Sequence, residues 1–203
     1  MPCACCNDYQ TTFDRQLAEA ELADYQSTGL KKMTRPLVEA LQKQNLEGLT
    51  LLDIGGGIGA IVFEALKAGV RQATNVEISQ AYLAVFKEEA LRQGLSGKTQ
   101  SLQGDFLSLA SHIEPADIVT LDKVICCYPD YEQLVSLSLE KARKYYAFVL
   151  PRDTWWVKLF EFLEKPRRRW QGKTCKTFVH PVEKIEGLVR GAGFREIERQ
   201  RRR

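Results

Sequence analysis

Short apolar runs alternate with longer amphipathic stretches along most of this chain. Runs of five or six mainly apolar residues are typical of buried strands, and apolar residues that recur every three or four positions are typical of helices. Single helices between successive strands indicate a parallel sheet with helices on both faces, a three-layer α/β/α, Rossmann-like fold. The pattern predicts strands at Thr50–Ile54, Gln72–Glu77, 98–103, 117–121 and 145–149, and helices at 58–68, 80–93, from 106 onward, 131–141 and 182–190.

The region before the first strand has helical periodicity from about residue 12 to residue 44. Gly29 and Pro36 divide it into two helices, and proline is well tolerated in the first turn of the second. The loop at 31–35 between them reads Lys-Lys-Met-Thr-Arg. We expect residues 1–47 to form a tail and a helical cap over a ligand cleft, with the basic loop facing either ligand or solvent. Residues 48–203 then form the sheet domain, within one structural unit.

A glycine-rich turn follows the first predicted strand and opens directly into a helix. It runs from Asp53 through Gly55, Gly57 and Gly59 to Ala60. Glycine permits positive φ and lets a ligand approach the backbone, while the helix that follows presents free N–H groups. The turn therefore predicts a site for a nucleotide-like ligand. The same residues satisfy the dinucleotide pattern G-x-G-x-x-G/A, and a turn made only for tight packing is the alternative.

Acidic residues at the strand ends indicate which nucleotide binds. A carboxylate at Asp53 would repel a pyrophosphate but would suit the amino group of S-adenosylmethionine, whose sulfonium is cationic. Glu77 ends the second strand and can accept hydrogen bonds from both hydroxyls of a ribose. Asp105 follows the third strand and can reach an adenine amino group, and Asp122 ends the fourth. A nicotinamide or flavin enzyme remains the competing interpretation.

These motifs resemble those of the class I S-adenosylmethionine-dependent methyltransferases. The resemblance implies that Asp53, Gly55, Gly57 and Gly59 form the first cofactor motif and that Glu77, followed by Ile78, holds the ribose. It also implies an adenine contact at Asp105-Phe106 and a cofactor contact at Asp122. Such folds end in a sixth strand and a seventh, antiparallel one. We interpret residues 194–200 as the sixth and expect the final antiparallel strand to be missing.

The loop after the fourth strand is the predicted acceptor side. Pro129 restricts Tyr128 to an extended backbone, so the loop should turn across the mouth of the cleft there. We expect Cys126 and Cys127 to continue the strand into the core. The candidate catalytic residues are Tyr128, Asp122 and His180, although Tyr128 packing beneath the loop is an equal alternative. The Asn/Asp-Pro-Pro-Tyr/Phe sequence typical of amino-group methylases is absent.

An aromatic stretch at 155–163 and a basic stretch at 165–176 follow the fifth strand. Together these two stretches can bind a flat apolar substrate with carboxylates, a membrane surface or RNA. Alternatively, the aromatic stretch packs in the core and the basic stretch is a solvated loop. The order of elements in this part of the chain resembles the magnesium-protoporphyrin O-methyltransferases. The resemblance covers Cys127-Tyr128-Pro129, Pro151 with Thr154, the stretch from Lys173-Thr174 to His180, and Gly193-Phe194. This resemblance implies methylation of a carboxylate, which needs no general base.

Composition and charge indicate the compartment and the partners of the protein, and they leave the predicted methyl transfer unchanged. The chain is 44% hydrophobic and 27% charged with a net charge of +3, and no apolar run reaches the roughly 20 residues of a membrane span. We expect a cytoplasmic protein with reduced thiols, a small-molecule acceptor with or without a carboxylate, and no nucleic-acid partner. Cys3, Cys5 and Cys6 lack a second ligand pair, so no metal is predicted. An idle cofactor-binding protein and an RNA-directed methyltransferase are the alternative functions.

Overall fold

The computed structural model describes residues 12–150 and 178–200. Two helices of the cap, α1 and α2, precede five strands that alternate with helices, and a last helix follows. Three short 3-10 helices, Ser96–Lys98, Ala110–His112 and Ile125–Cys127, lie in the connections. The elements are α1 Arg15–Thr28, α2 Arg35–Gln42, β1 Thr50–Ile54, α3 Ala60–Lys67, β2 Gln72–Glu77, α4 Gln80–Arg92, β3 Thr99–Gln103, α5 Phe106–Leu109, β4 Ala116–Asp122, α6 Tyr131–Glu140, β5 Ala142–Val149 and α7 Val182–Gly191.

The five strands form one parallel sheet in the order β3-β2-β1-β4-β5. Side chains alternate across the sheet, so Leu51 packs with α2, α3 and α4, while Leu52 and Ile54 pack with α5, α6 and α7 on the other face. The predicted three-layer, Rossmann-like fold is therefore confirmed. Strand order reverses between β1 and β4, and ligands of such sheets bind at the carboxyl ends of the strands beside that point.

Two predicted strand segments are wrong. Residues 194–200 form no strand: Glu198 pairs with Lys43 at 2.7 Å, Arg199 pairs with Glu186, and Ile197 is 64% exposed. Ion pairs, not a strand ladder, hold this charged segment against the helices. The sheet of the described residues thus ends at β5, with no antiparallel strand among them.

The other error concerns Cys126 and Cys127, which lie in a 3-10 helix instead of extending β4. Lys123 directly after β4 has φ 62°, a left-handed conformation that cannot continue an extended strand. Cys126 is nevertheless buried in this turn, as expected for a small apolar side chain.

The cap is attached to the sheet domain by side-chain hydrogen bonds as well as by apolar packing. The Tyr25 hydroxyl donates to Glu64 at 2.6 Å, and the Gln26 amide donates to Glu89 at 3.0 Å. Residues of α2 share the core that covers one face of the sheet. The cap therefore covers the carboxyl ends of the strands. The domain boundary between residues 47 and 48 stays a prediction.

Several sequence-based predictions fall on segments outside the described residues. These are the thiols of Cys3, Cys5 and Cys6 and the whole stretch 151–177, with its aromatic and basic residues. Within the described ranges, no helix is long and apolar enough to cross a membrane. No group of three or more His, Cys, Asp or Glu side chains is placed there to hold a metal ion.

Candidate functional site

A cavity of about 330 Å³ opens at the carboxyl ends of β1, β2 and β4, beneath the cap. Ligand sites in proteins range over roughly 300–1,000 Å³, so this one has room for a single ligand of nucleoside size. The glycine turn forms its floor and the cap forms its roof. Its described lining residues include Phe13, Glu21, Tyr25, Lys31 and Thr34 from the cap, Gly55, Gly56 and Gly57 from the turn, and Glu77, Ile78, Tyr82, Phe106, Asp122, Lys123, Val124, Cys127 and Tyr128 from the sheet domain.

The glycines of the turn serve different purposes. Gly55, Gly57 and Gly59 all have positive φ, at 64°, 56° and 81°. Gly55 and Gly57 line the cavity, whereas Gly59 is absent from its lining. A Cβ on Gly59 would overlap the ring of Phe86, which is fully buried in the core. Gly59 therefore packs against Phe86 outside the cavity lining, and its predicted contact with a cofactor stays a prediction.

Glu77 sits at the end of β2 and joins the turn to the cavity. Its Oε2 accepts the Gly57 N–H at 3.0 Å and its Oε1 accepts the Ser79 N–H at 2.9 Å. Burial raises the pKa of this carboxyl, and the backbone donors oppose that rise. A dinucleotide-binding turn uses its N–H groups to bind phosphate, but here the Gly57 N–H already donates to the Glu77 carboxylate. This contact favours a ligand without a phosphate, and the carboxylate keeps lone pairs for further donors.

Asp53 is fully buried beneath the turn and does not line the cavity. Its Oδ1 accepts the Thr120 hydroxyl at 2.6 Å, and its Oδ2 has no partner among the described residues. A Cβ on Gly56 would lie 2.5 Å from this Oδ2 and 2.6 Å from the Oδ1 of Asn75, another buried oxygen without a partner in the described chain. Asp53 thus lies beneath the turn and outside the cavity lining, so its contact with a ligand amino group stays a prediction and Glu77 provides the argument against pyrophosphate.

Burial raises the pKa of Asp53 to about 7, which makes the stability of the protein pH-dependent. Between about pH 4 and pH 7 the unfolded chain loses this proton while the folded protein keeps it, so stability falls as pH rises, by up to about 1.4 kcal/mol per pH unit. Asp53→Asn stays neutral, so its free energy of unfolding relative to the parent should climb through this window and level off above it. Urea unfolding at several pH values measures the difference. A difference that is constant with pH would mean that folded Asp53 is already ionised at pH 4.

Asp122 ends β4 and lines the cavity beside the turn. Its Oδ2 accepts the Thr34 hydroxyl at 2.6 Å and lies 3.1 Å from the Lys123 ammonium. Its Oδ1 is buried and has no hydrogen-bond partner among the described residues. A buried carboxylate oxygen without a donor is costly, so this atom fits a ligand that presents an N–H or O–H group.

Tyr128 lines the cavity, as its predicted acceptor-side role requires. Its hydroxyl donates to Asp105 at 2.7 Å, while the other oxygen of Asp105 caps α5 at Ser108. Asp105 thus stands behind Tyr128 and outside the described cavity lining. His180 is also outside it: its Nε2 contacts the Tyr128 carbonyl oxygen at 2.8 Å and its ring packs on Tyr131. The structure brings Tyr128 and Asp122 to one cavity and places His180 against the outer side of the loop.

The charges around the cavity suit a cation. Glu21, Glu77 and Asp122 contribute three carboxyl groups, against two ammonium groups from Lys31 and Lys123. Lys31 pairs with Glu21 at 2.6 Å and Lys123 pairs with Asp122, so neither lysine is poised for a pyrophosphate. Sequence reasoning missed Glu21, and it brought Thr34 and Lys123 to the site only as members of the 31–35 loop and of the loop after the fourth strand. Their individual contacts depend on how the cap and the loop fold back.

The known proteins that this chain is similar to are methyltransferases. Residues 52–138 match the family described as a methyltransferase domain. Among curated proteins, a ribosomal protein L11 methyltransferase of Deinococcus radiodurans is 32% identical over 77 residues, or 38% of this chain and 28% of that protein. The ubiquinone/menaquinone biosynthesis C-methyltransferase UbiE of Sinorhizobium fredii is 30% identical over 101 residues, or 48% and 39% of the two chains. Both matches span well under half the length of the relative.

Solved structures of low sequence identity share the fold. An O-methyltransferase family protein from Burkholderia thailandensis has a TM-score of 0.62 and 16% identity, with 93% of this chain and 60% of that one covered. Magnesium protoporphyrin IX methyltransferase from Synechocystis PCC 6803, solved with bound SAH, has a TM-score of 0.65 and 15% identity, with 91% and 87% covered. Residues 52–138 are therefore similar to methyltransferase domains, and the solved structures share the fold of this chain. The roles of the individual site residues stay predictions.

Proposed function

We propose that this chain transfers a methyl group from S-adenosylmethionine to an oxygen atom of a small-molecule acceptor. The observation that carries the proposal is the acidic cavity above the glycine turn, where Glu77 accepts the hydrogen bond of the Gly57 N–H. Such a site disfavours a phosphate and favours a cationic nucleoside. The matched methyltransferase domain supports the same reading.

The described residues fit the cofactor group by group. Glu77 lies at the turn and has lone pairs for the two ribose hydroxyls. The unpartnered Oδ1 of Asp122 would accept from the amino group of the methionine part. Ile78 and Phe106 supply an apolar wall for the adenine ring. When bound, S-adenosylmethionine supplies a methyl group activated by a cationic sulfur, so the protein mainly aligns the acceptor and excludes water.

A carboxylate is the acceptor that the sequence resemblance to the magnesium-protoporphyrin O-methyltransferases favours. A carboxylate oxygen already carries the electron pair that attacks the methyl carbon, so no side chain must remove a proton. That agrees with a site in which the Oδ2 of Asp122 is engaged by Thr34 and Lys123. The fold shared with the Synechocystis magnesium protoporphyrin IX methyltransferase and the sequence resemblance to that branch support a tetrapyrrole-like acid.

Macromolecular acceptors form the second candidate, because ribosomal protein L11 methyltransferases are among the curated relatives. Methyl-labelled S-adenosylmethionine separates the two. We expect label in a protein-free small-molecule extract, released as methanol by mild alkali because methyl esters hydrolyse. Label in isolated ribosomal protein or RNA, or an alkali-stable product, would contradict carboxylate methylation of a small molecule.

Tyr128→Phe tests the acceptor-side role of this residue. We expect turnover to fall about tenfold while affinity for S-adenosylhomocysteine changes less than about twofold, because the hydrogen bond from the hydroxyl to Asp105 holds the Tyr128 ring in the cavity lining. Tyr131→Phe is the matched control, since its hydroxyl contacts the exposed Glu132 and it does not line the cavity. Loss of cofactor binding in Tyr128→Phe, with Tyr131→Phe unchanged, would move Tyr128 to the cofactor side.

A further inference from the structure

Thr34 belongs to the cap but contacts the end of the sheet. It lies in the loop between α1 and α2 and is only 4% exposed. Its hydroxyl donates to the Oδ2 of Asp122 at 2.6 Å, across 88 positions of sequence. This hydrogen bond ties the cap to the wall of the cavity that both residues line.

The two oxygens of Asp122 have different surroundings. The Oδ2 receives the Thr34 hydroxyl and the Lys123 ammonium, while the Oδ1 is buried without a partner among the described residues. Because a carboxylate is planar, two contacts on one oxygen fix the direction in which the other oxygen faces. A hydrogen bond to a charged acceptor is also stronger than one between neutral groups.

Lys123 is itself held in place. Its φ of 62° is unusual for a residue with a side chain. Its N–H donates to the Val149 carbonyl at 3.1 Å, and its own carbonyl accepts the Cys126 thiol at 3.1 Å. The sheet domain thus supplies one contact to Asp122, from a residue whose backbone is held in place, and Thr34 supplies the other from the cap.

We propose that Thr34 is a positioning residue of this site: its hydroxyl turns the Asp122 carboxylate so that Oδ1 faces the bound ligand. The inference rests on the proposed function and extends it, because it makes the cap a part of the cofactor site and not only its cover. The loop at 31–35 then acts on the ligand through Thr34. Its neighbour Lys31 pairs with Glu21 within the cap.

Thr34→Val removes the hydroxyl and keeps the shape, and Thr34→Ser keeps the hydroxyl. Calorimetric titration with S-adenosylhomocysteine should show about tenfold weaker binding for the valine variant and binding within about twofold of the parent for the serine variant. The midpoint of thermal unfolding without ligand should be nearly the same in both. Thr28→Val is the matched control, because the Thr28 hydroxyl bonds only the Asp24 carbonyl among the described contacts and is exposed.

Unchanged affinity in Thr34→Val, or equal losses in the valine and serine variants, would overturn the positioning role. If the valine variant fails to fold, Thr34→Ala compared with Thr34→Ser gives the same contrast, and equal affinities would overturn it. Absence of binding by the parent protein is a different result, since it contradicts the proposed function itself.

Discussion

Gly59→Ala is expected to destabilise the protein by about 2–5 kcal/mol, a large part of the stability of a typical domain. The backbone at Gly59 has φ 81°, where a side chain costs about 1–2 kcal/mol. The added Cβ would also overlap the Phe86 ring, which stacks on Phe63 at 5.5 Å and cannot move freely. Overpacking of this kind costs roughly 1–3 kcal/mol more. Urea unfolding measures the change.

Gly94→Ala is the matched control for this substitution. Gly94 has φ 71°, but a Cβ there would meet nothing within 4 Å. The control should therefore show the backbone cost alone. Replacing Phe86 with leucine in the Gly59→Ala protein should recover part of the loss. Equal destabilisation by Gly59→Ala and Gly94→Ala would contradict the packing role of Gly59.

Glu77→Ala should weaken binding of S-adenosylhomocysteine at least tenfold. Each hydrogen bond to a charged group contributes about 1.5–3 kcal/mol, and each 1.4 kcal/mol changes affinity about tenfold. The substitution also removes the acceptor for the Gly57 and Ser79 N–H groups, so the turn loses its anchor as well. Calorimetry measures the affinity directly.

Glu114→Ala provides the control for the loss of one negative charge. Glu114 is exposed and lies outside the cavity lining, so its substitution should leave affinity unchanged. If Glu77→Ala binds the ligand as tightly as the parent and Glu114→Ala, the ribose assignment is wrong and Glu77 only supports the turn.

The sequence predicts the sheet well because its strands lie between helices with clear periodicity. The bounds of β1 and β2 agree with the pattern, since β1 is mainly apolar and ends at the glycine turn, and β2 ends at the acidic Glu77. Prediction failed where local conformation breaks the pattern. A left-handed Lys123 ends β4 before Cys126, and ion pairs of Glu198 and Arg199 replace a ladder in the last described segment.

The site is predictable in part, because strand ends can be located in a sequence but the faces of their side chains cannot. Asp53 shares a side of β1 with Leu51 and is covered by the turn that it precedes, so it is buried instead of facing the ligand. Thr34 reaches Asp122 only through the fold of the cap. The predicted residues at the cavity are Gly55, Gly57, Glu77, Ile78, Phe106, Asp122 and Tyr128, and those away from it are Asp53, Gly59, Asp105 and His180.

The central claim is that the cavity over the glycine turn binds an S-adenosyl cofactor and not a dinucleotide. Calorimetric titration of the unmodified protein with S-adenosylhomocysteine, and separately with NADH, tests it most directly. We expect one molecule of S-adenosylhomocysteine to bind per chain and NADH to give no saturable heat, because Glu77 holds the N–H that a pyrophosphate would need. Saturable binding of NADH, with none of S-adenosylhomocysteine, would contradict the claim.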